Sequence, residues 1–185
     1  TDENGLIHPS EVLIHASSIG AVLIPHIFGQ LAPVDQIVDI CKKHNILSIE
    51  DCAHHLPPCQ RGAGGDLRTD FRIYSFGREK VLSCVSGGAL VWNSFNPLLD
   101  KGEIEGVLPR PKTSWTLSHM LQPLIYSLAL PWWYQGGKLI PIIAQKLHLL
   151  PKAVTISEKN GTEDFPQSRL PYSLQKLLKR QFKNY

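Results

Sequence analysis

The stretch AVLIPHIFGQLAPVDQIVDICKKHNILSIEDCAHH, residues 21–55, sets two short apolar runs on either side of one amphipathic segment. AVLIP (Ala21–Pro25) and ILSIE (Ile46–Glu50) have the continuous apolar character of strands buried on both faces. Between them, PVDQIVDICKKHN reads as a helix. Pro33 suits its first turn, and Val34, Ile37, Ile40 and Cys41 share one stripe. Lys42, Lys43 and His44 complement the negative end of the helix dipole, and Asn45 can take the left-handed cap. Strand, helix and strand at this spacing predict a right-handed βαβ unit in a parallel sheet.

Further along, residues 52–70 are polar and turn-rich, which predicts a long surface excursion. FRIYSF (Phe71–Phe76) and GGALVW (Gly87–Trp92) then read as two further strands joined by a turn that carries Lys80. Residues 20–95 are therefore α/β. In open α/β sheets ligands sit at the carboxyl ends of the strands. Asp51 directly follows one strand and Lys80 lies just beyond another, so one crevice could hold both.

Composition narrows the function classes. At 185 residues with 43% apolar and 19% charged side chains, the chain can bury a substantial core and is too apolar for disorder. A net charge of +3 is too small and too scattered for a nucleic-acid surface. Cys41, Cys52, Cys59 and Cys84 form no C-x-x-C pair, so they read as reduced, mostly buried thiols of a cytoplasmic protein. Asn160-Gly161-Thr162 matches a glycosylation sequon but is read as accidental.

Leu117–Leu150 changes character. It is strongly apolar but is broken by Pro123, Pro131, Pro141 and Gly136-Gly137, and no run reaches the ~20 residues of a membrane span. Core helices or a subunit-contact hairpin is the simplest reading. Trp132, Trp133 and Tyr134 beside Lys138 also have the make-up of an interfacial anchor, which raises a peripheral membrane contact. Thr1–Gly5 reads as a loop entered from upstream, and PYSLQKLLKRQFKNY as an amphipathic helix with no stop signal, so a fragment of a longer chain is expected.

Taken residue by residue, the chemistry is ambiguous. EDCAHH (Glu50–His55) clusters carboxylates and histidines, but His54 and His55 are adjacent and lack the spacing of metal ligands, so no metal is expected. A carboxylate such as Asp51 at the end of a buried strand needs a positive partner. Lys80 by itself is an ordinary surface lysine, because lysine is almost never fully buried.

The order of motifs changes that balance. PHIFG (residues 25–29), SIEDCAH (residues 48–54), YSFGREK (residues 74–80) and SGGALVW (residues 86–92) follow one another. This resembles the pyridoxal-phosphate-dependent sugar aminotransferases of the DegT/DnrJ/StrS type, whose pattern runs V-H-x-x-G, E-D-x-A-[QH], S-F-x-x-x-K, then G-G before a strand. The resemblance covers about residues 1–95, with a weaker echo in LPYSLQKLLKRQF. It implies part of a fold-type I large domain over residues 1–112, with a mainly parallel sheet. An apolar helical segment over 113–156 and a helix over 157–185, leading toward a truncated C-terminal domain, would follow.

The resemblance also implies roles. Lys80 matches the lysine that forms the internal Schiff base with pyridoxal 5′-phosphate and then acts as general acid and base. Asp51 matches the carboxylate paired with the protonated pyridine nitrogen. His54 matches the position facing the cofactor ring and its 3-oxygen, and Ser75 the hydroxyl that helps hold the phosphate. His26 would line the same crevice. Gly87 and Gly88 read as needed for close backbone approach. The implied reaction moves an amino group, usually from glutamate, to a keto group of a nucleotide-linked sugar, for amino-sugar and surface-polysaccharide synthesis in a homodimer. Relatives that carry histidine in place of the lysine are dehydratases, and Lys80 argues against that branch. The family normally runs to about twice this length, and its upstream cofactor-phosphate turn has no counterpart here. A non-catalytic relative and a membrane-peripheral binding module are the competing expectations.

Overall fold

A run of short strands and one strongly amphipathic helix builds the first half of the chain. The computed structural model describes residues 3–55, 68–92, 108–151, 160–161 and 168–183. Cys59 and residues 56–67 of the surface excursion expected over 52–70 lie outside them. The chain divides into two compact units, Thr1–Ser83 with Gly87–Asp100, and Cys84–Ser86 with Lys101–Tyr185.

In the first unit, α1 (Pro9–His15), β1 (Ala21–Pro25), α2 (Val34–His44), β2 (Leu47–Asp51), β3 (Phe71–Ser75) and β4 (Gly88–Trp92) follow in order. The sheet order is β1-β2-β3-β4. The first three strands are parallel, and β4 returns antiparallel to β3. The α/β expectation with a mainly parallel sheet is met. The helix between β1 and β2 forms where expected, but its buried face takes in Val38, which the expected stripe left out, while Val34 and Ile40 are only half-buried. Ile37, Val38 and Cys41 are buried, and Asn45 closes α2 in the left-handed conformation (φ 55°, ψ 39°). The sequence reading did not assign α1, whose first turn carries Pro9 and whose start is capped by His8 Nδ1 accepting the Ser10 N–H.

The two faces of the sheet differ. Val22 and Ile24 of β1 join Ile37, Val38 and Cys41 of α2 and Val12 of α1 in one buried cluster. Side chains alternate along a strand, so Ser48 and Glu50 share that covered side. Leu23, Ile73 and Leu90 lie on the other face and are exposed. Asp51 pairs with Pro25 on one side and Ile73 on the other, which puts it on the open face.

Two side-chain ties fix the re-entry of the chain into β3. Asp70 Oδ2 accepts from the Ser48 N–H (2.8 Å) and from the Ser48 hydroxyl (2.7 Å). Arg68 reaches Asp35 and Asp39 of α2, each at 2.9 Å. Gly88 opens β4 where an added Cβ would collide with the Tyr74 carbonyl, so close backbone approach is what that glycine provides.

The second unit contains α3 (Thr113–Ala129), a 3₁₀ segment (Leu130–Gln135), α4 (Leu139–Lys146) and α5 (Tyr172–Phe182). Pro123 sits inside α3. Among the described residues, no helix is long and apolar enough to cross a membrane.

Candidate active site

Three parallel strands end on the same edge of the sheet, and the sequence-predicted residues gather there. His26 follows β1, Asp51 ends β2 with His54 in the turn beyond it, and Ser75 ends β3 with Lys80 in the next turn. The ends of β1 and β2 are tied through backbone, with the His26 N–H donating to the Asp51 carbonyl (3.1 Å). The Cys52 N–H donates to the Ile73 carbonyl (2.8 Å), which ties β2 to β3.

Asp51 is half-buried, and its Oδ1 accepts from the Ala53 N–H at 2.9 Å. That Asx turn orients the carboxylate, while Oδ2 takes no hydrogen bond among the described residues. His54 is exposed, with its ring edge-on to Phe28 at a centroid distance of 5.9 Å. Phe28 is itself 87% exposed and held at φ 49°, followed by Gly29 at φ 82°. A phenylalanine in the left-handed region marks a strained turn beside the strand ends.

Ser75 and Lys80 converge on Gly77. A Cβ placed on Gly77 would sit 3.7 Å from Ser75 Oγ and 3.9 Å from Lys80 Cγ, so the hydroxyl and the lysine stem flank a position that carries no side chain. The turn itself is closed by the Lys80 N–H donating to the Gly77 carbonyl (3.2 Å), and Lys80 is half-buried. Ser75 stands two residues, ~7 Å, beyond the Asp51–Ile73 pair on the same open face.

His26 has a different setting from its neighbours on this edge. It is fully buried on the covered face, where its Nδ1 accepts from the Ala32 N–H at 3.2 Å. The ring proton therefore sits on Nε2, which donates to Glu50 Oε1 at 2.9 Å. Glu50 Oε2 accepts from Arg72 Nε (2.7 Å) and Nη2 (2.6 Å), and from the Thr69 hydroxyl (3.3 Å). One carboxylate thus ties the loop after β1 to β2 and to Arg72, near the start of β3, from behind the site. Burial alone would raise the Glu50 carboxyl. The His26 hydrogen bond and the Arg72 charge outweigh burial and hold it below the usual carboxylate range.

His26, Glu50 and Cys52 also place their donor atoms within 4.8 Å of one another. The chemistry of that set does not suit a cation. Arg72 already occupies Glu50, and burial with the Glu50 charge pushes the Cys52 thiol up to about 12, far from the thiolate a metal needs. Sequence reasoning missed Glu50 and Arg72. The available signal was a second carboxylate beside Asp51 on a strand whose alternate positions are buried.

The geometry defines an α/β domain with a carboxylate, a hydroxyl and a turn lysine at the carboxyl ends of parallel strands. The chain belongs to the DegT/DnrJ/EryC1/StrS aminotransferase family, whose model matches residues 4–100, more than half of its length. It is 30% identical over 73 residues to the GDP-perosamine synthase of Caulobacter vibrioides, covering 40% of this chain and 20% of that protein. It is 34% identical over 71 residues to the L-glutamine:scyllo-inosose aminotransferase of Streptomyces griseus, covering 38% and 17%. Among solved structures it resembles DesI with its TDP-sugar product, at 26% identity and a TM-score of 0.43 over 50% of this chain and 24% of that one. The match spans about a fifth of the length of the curated relatives.

Proposed function

We propose that the protein to which this chain belongs is an aminotransferase that uses pyridoxal 5′-phosphate and passes an amino group to a keto group of a nucleotide-linked sugar. Family membership supports the cofactor and the reaction class. The observation that carries the reading is that Asp51 and Ser75 end the adjacent parallel strands β2 and β3 at the same edge of the sheet, with Lys80 in the turn that follows β3.

The residues fit the group. Lys80 would hold it, Asp51 Oδ2 is available to accept a ring N–H, Ser75 offers a hydroxyl to the phosphate, and His54 flanks the ring. Bound there, the cofactor supplies an electron sink for the carbon that gains or loses the amine. Lys80 Nζ would take a proton from the substrate α-carbon as general base and deliver it, as general acid, to the carbon at the other end of the same C–N unit. Asp51 is oriented by the Ala53 N–H, and the Glu50 bridge behind it ties the loop after β1 to β2 and to Arg72 of β3. Glutamate as donor, a homodimer, a cytoplasmic setting and a role in surface-polysaccharide synthesis complete the reading.

The test is made on purified full-length protein. A visible cofactor band that shifts on adding glutamate or glutamine, and that is lost in Lys80→Ala, is expected. A colourless protein that takes up no cofactor would point instead to a non-catalytic relative.

A further inference from the structure

Helices α3 and α4 of the second unit carry their large apolar side chains mostly outward, unlike α5, which buries Leu174 and Leu178. In α3 the buried side chains are His119, Gln122 and Ala129, and in α4 they are Pro141 and Ala144. The large apolar residues lie outside instead, with Leu124 61%, Leu128 69%, Trp132 61% and Tyr134 100% exposed, and Leu139, Ile142 and Ile143 also exposed. Gly137 lets the turn close, since a Cβ there would collide with the Ala129 and Trp132 carbonyls. Small and polar groups buried with bulky apolar ones outside is the reverse of a water-facing helix pair, and it is the pattern of helices packed in lipid.

Two further observations point the same way. Hydroxyls along α3 are turned back onto its own carbonyls: Thr116 on Lys112 (3.4 Å), Ser118 on Trp115 (2.8 Å) and Ser127 on Pro123 (2.7 Å). His119 Nδ1 lies 2.8 Å from the Trp115 carbonyl. Groups so satisfied lose little on leaving water. The charge is also one-sided. None of the sixteen acidic residues falls between Glu105 and Glu158, whereas Arg110, Lys112, Lys138, Lys146 and Lys152 do. Among the described ones, Arg110, Lys112, Lys138 and Lys146 are exposed.

We propose that residues 113–150 form a monotopic hairpin that seats in the headgroup region of a bilayer rich in anionic lipid. The α3 helix has 17 residues and so spans ~25 Å, short of the ~30 Å hydrocarbon core. The hairpin therefore enters one leaflet, with Trp132, Trp133 and Tyr134 at the apolar–polar boundary and Lys138 at the phosphates. This assignment does not depend on the aminotransferase reading.

The test is flotation of the full-length protein with phosphatidylcholine vesicles and with vesicles containing about one-third phosphatidylglycerol. Binding to the anionic vesicles, weaker binding to neutral ones, and a blue shift of tryptophan emission are expected. Trp132→Ala with Tyr134→Ala alters only exposed side chains and should lower anionic-vesicle binding ~10-fold or more, with the circular dichroism spectrum unchanged. Leu124→Asp with Leu128→Asp should abolish it. Equal binding to both vesicle types, or variants that bind like the parent, would overturn the proposal. So would a protein that ignores vesicles and whose oligomeric state, read by light scattering, is lost in the Leu124/Leu128 variant, since that result assigns the face to a second copy.

Discussion

His26 Nε2 donates to Glu50 Oε1 across 2.9 Å in a setting closed to solvent, and Arg72 holds the other oxygen of the same carboxylate. The pair lies behind the candidate site, on the face of the sheet opposite Asp51. It ties the loop after β1 to β2, and Arg72 extends the tie to β3. A buried charge in this position is tolerable only because every lone pair that matters is met. Glu50→Gln is expected to destabilise the fold by ~3 kcal/mol or more, because the Arg72 charge is left without its counter-charge. Replacing both, as in Glu50→Gln with Arg72→Met, should recover part of the loss. Urea melts of the single and double variants measure the coupling.

Acid should loosen this edge of the sheet before the rest. The Glu50 carboxyl is held low in the fold, so its contribution is present above the ordinary carboxylate pKa of 4.5 and is lost as pH falls through the lower folded value. His55 adds a second loss at higher pH. Burial, with the nearby His26, lowers its pKa below the ordinary 6.5, so the unfolded chain takes up its proton first as pH drops. Stability should therefore decline from about pH 6.5 downward and fall more steeply below 4.5. Thermal melts across pH 3–8 read the profile, and Glu50→Gln should flatten its steep acid limb.

The order of strands and α2 was readable because each signal is local. A stripe at 34, 37, 40 and 41, a left-handed Asn45 and a pair of β-rich runs need no knowledge of distant residues. The Glu50–Arg72 bridge was not readable, because it depends on register across three strands. The sequence offered two adjacent carboxylates and one rule, that a buried one needs a cation. The reading applied that rule to Asp51, whereas alternation puts Glu50 on the covered face. His26 was read as lining the crevice, yet its side chain follows Val22 and Ile24 onto that same covered face. In 117–150 the apolar run was plain, but periodicity says which residues share a face and not what covers it.

Asp51→Asn separates the proposed catalytic role from a structural one. Asparagine can still accept the Ala53 N–H through its side-chain oxygen, so the Asx turn and the stability should survive to within ~0.5 kcal/mol. The negative charge is gone, however, and a loss of ~100-fold or more in kcat is expected with little change in the melting curve. Lys80→Ala should lose ~10²–10⁴-fold and also fail to retain cofactor through gel filtration. A melting curve that collapses in Asp51→Asn would make the residue structural and remove it from the site.

Gly88→Ala tests whether the turn between Ser75 and β4 is set by backbone contact. The new methyl would point into the Tyr74 carbonyl of the neighbouring strand, a group that cannot rotate away as a side chain could. Either β4 moves off β3 or the Tyr74 peptide tilts, and both disturb the Ser75–Gly88 pairing that fixes where the Lys80 turn begins. Overpacking of this kind costs ~1–3 kcal/mol. The displacement should also reach the site, because the Phe76 N–H bond to the Gly87 carbonyl (2.8 Å) is the next rung of the same ladder. Hydrogen exchange of the Phe76 amide should therefore speed up in Gly88→Ala, while the amides of Ile24 and Glu50, on the far side of the sheet from β4, keep their protection. Uniformly faster exchange at all three would show that the glycine supports the whole fold and not this turn.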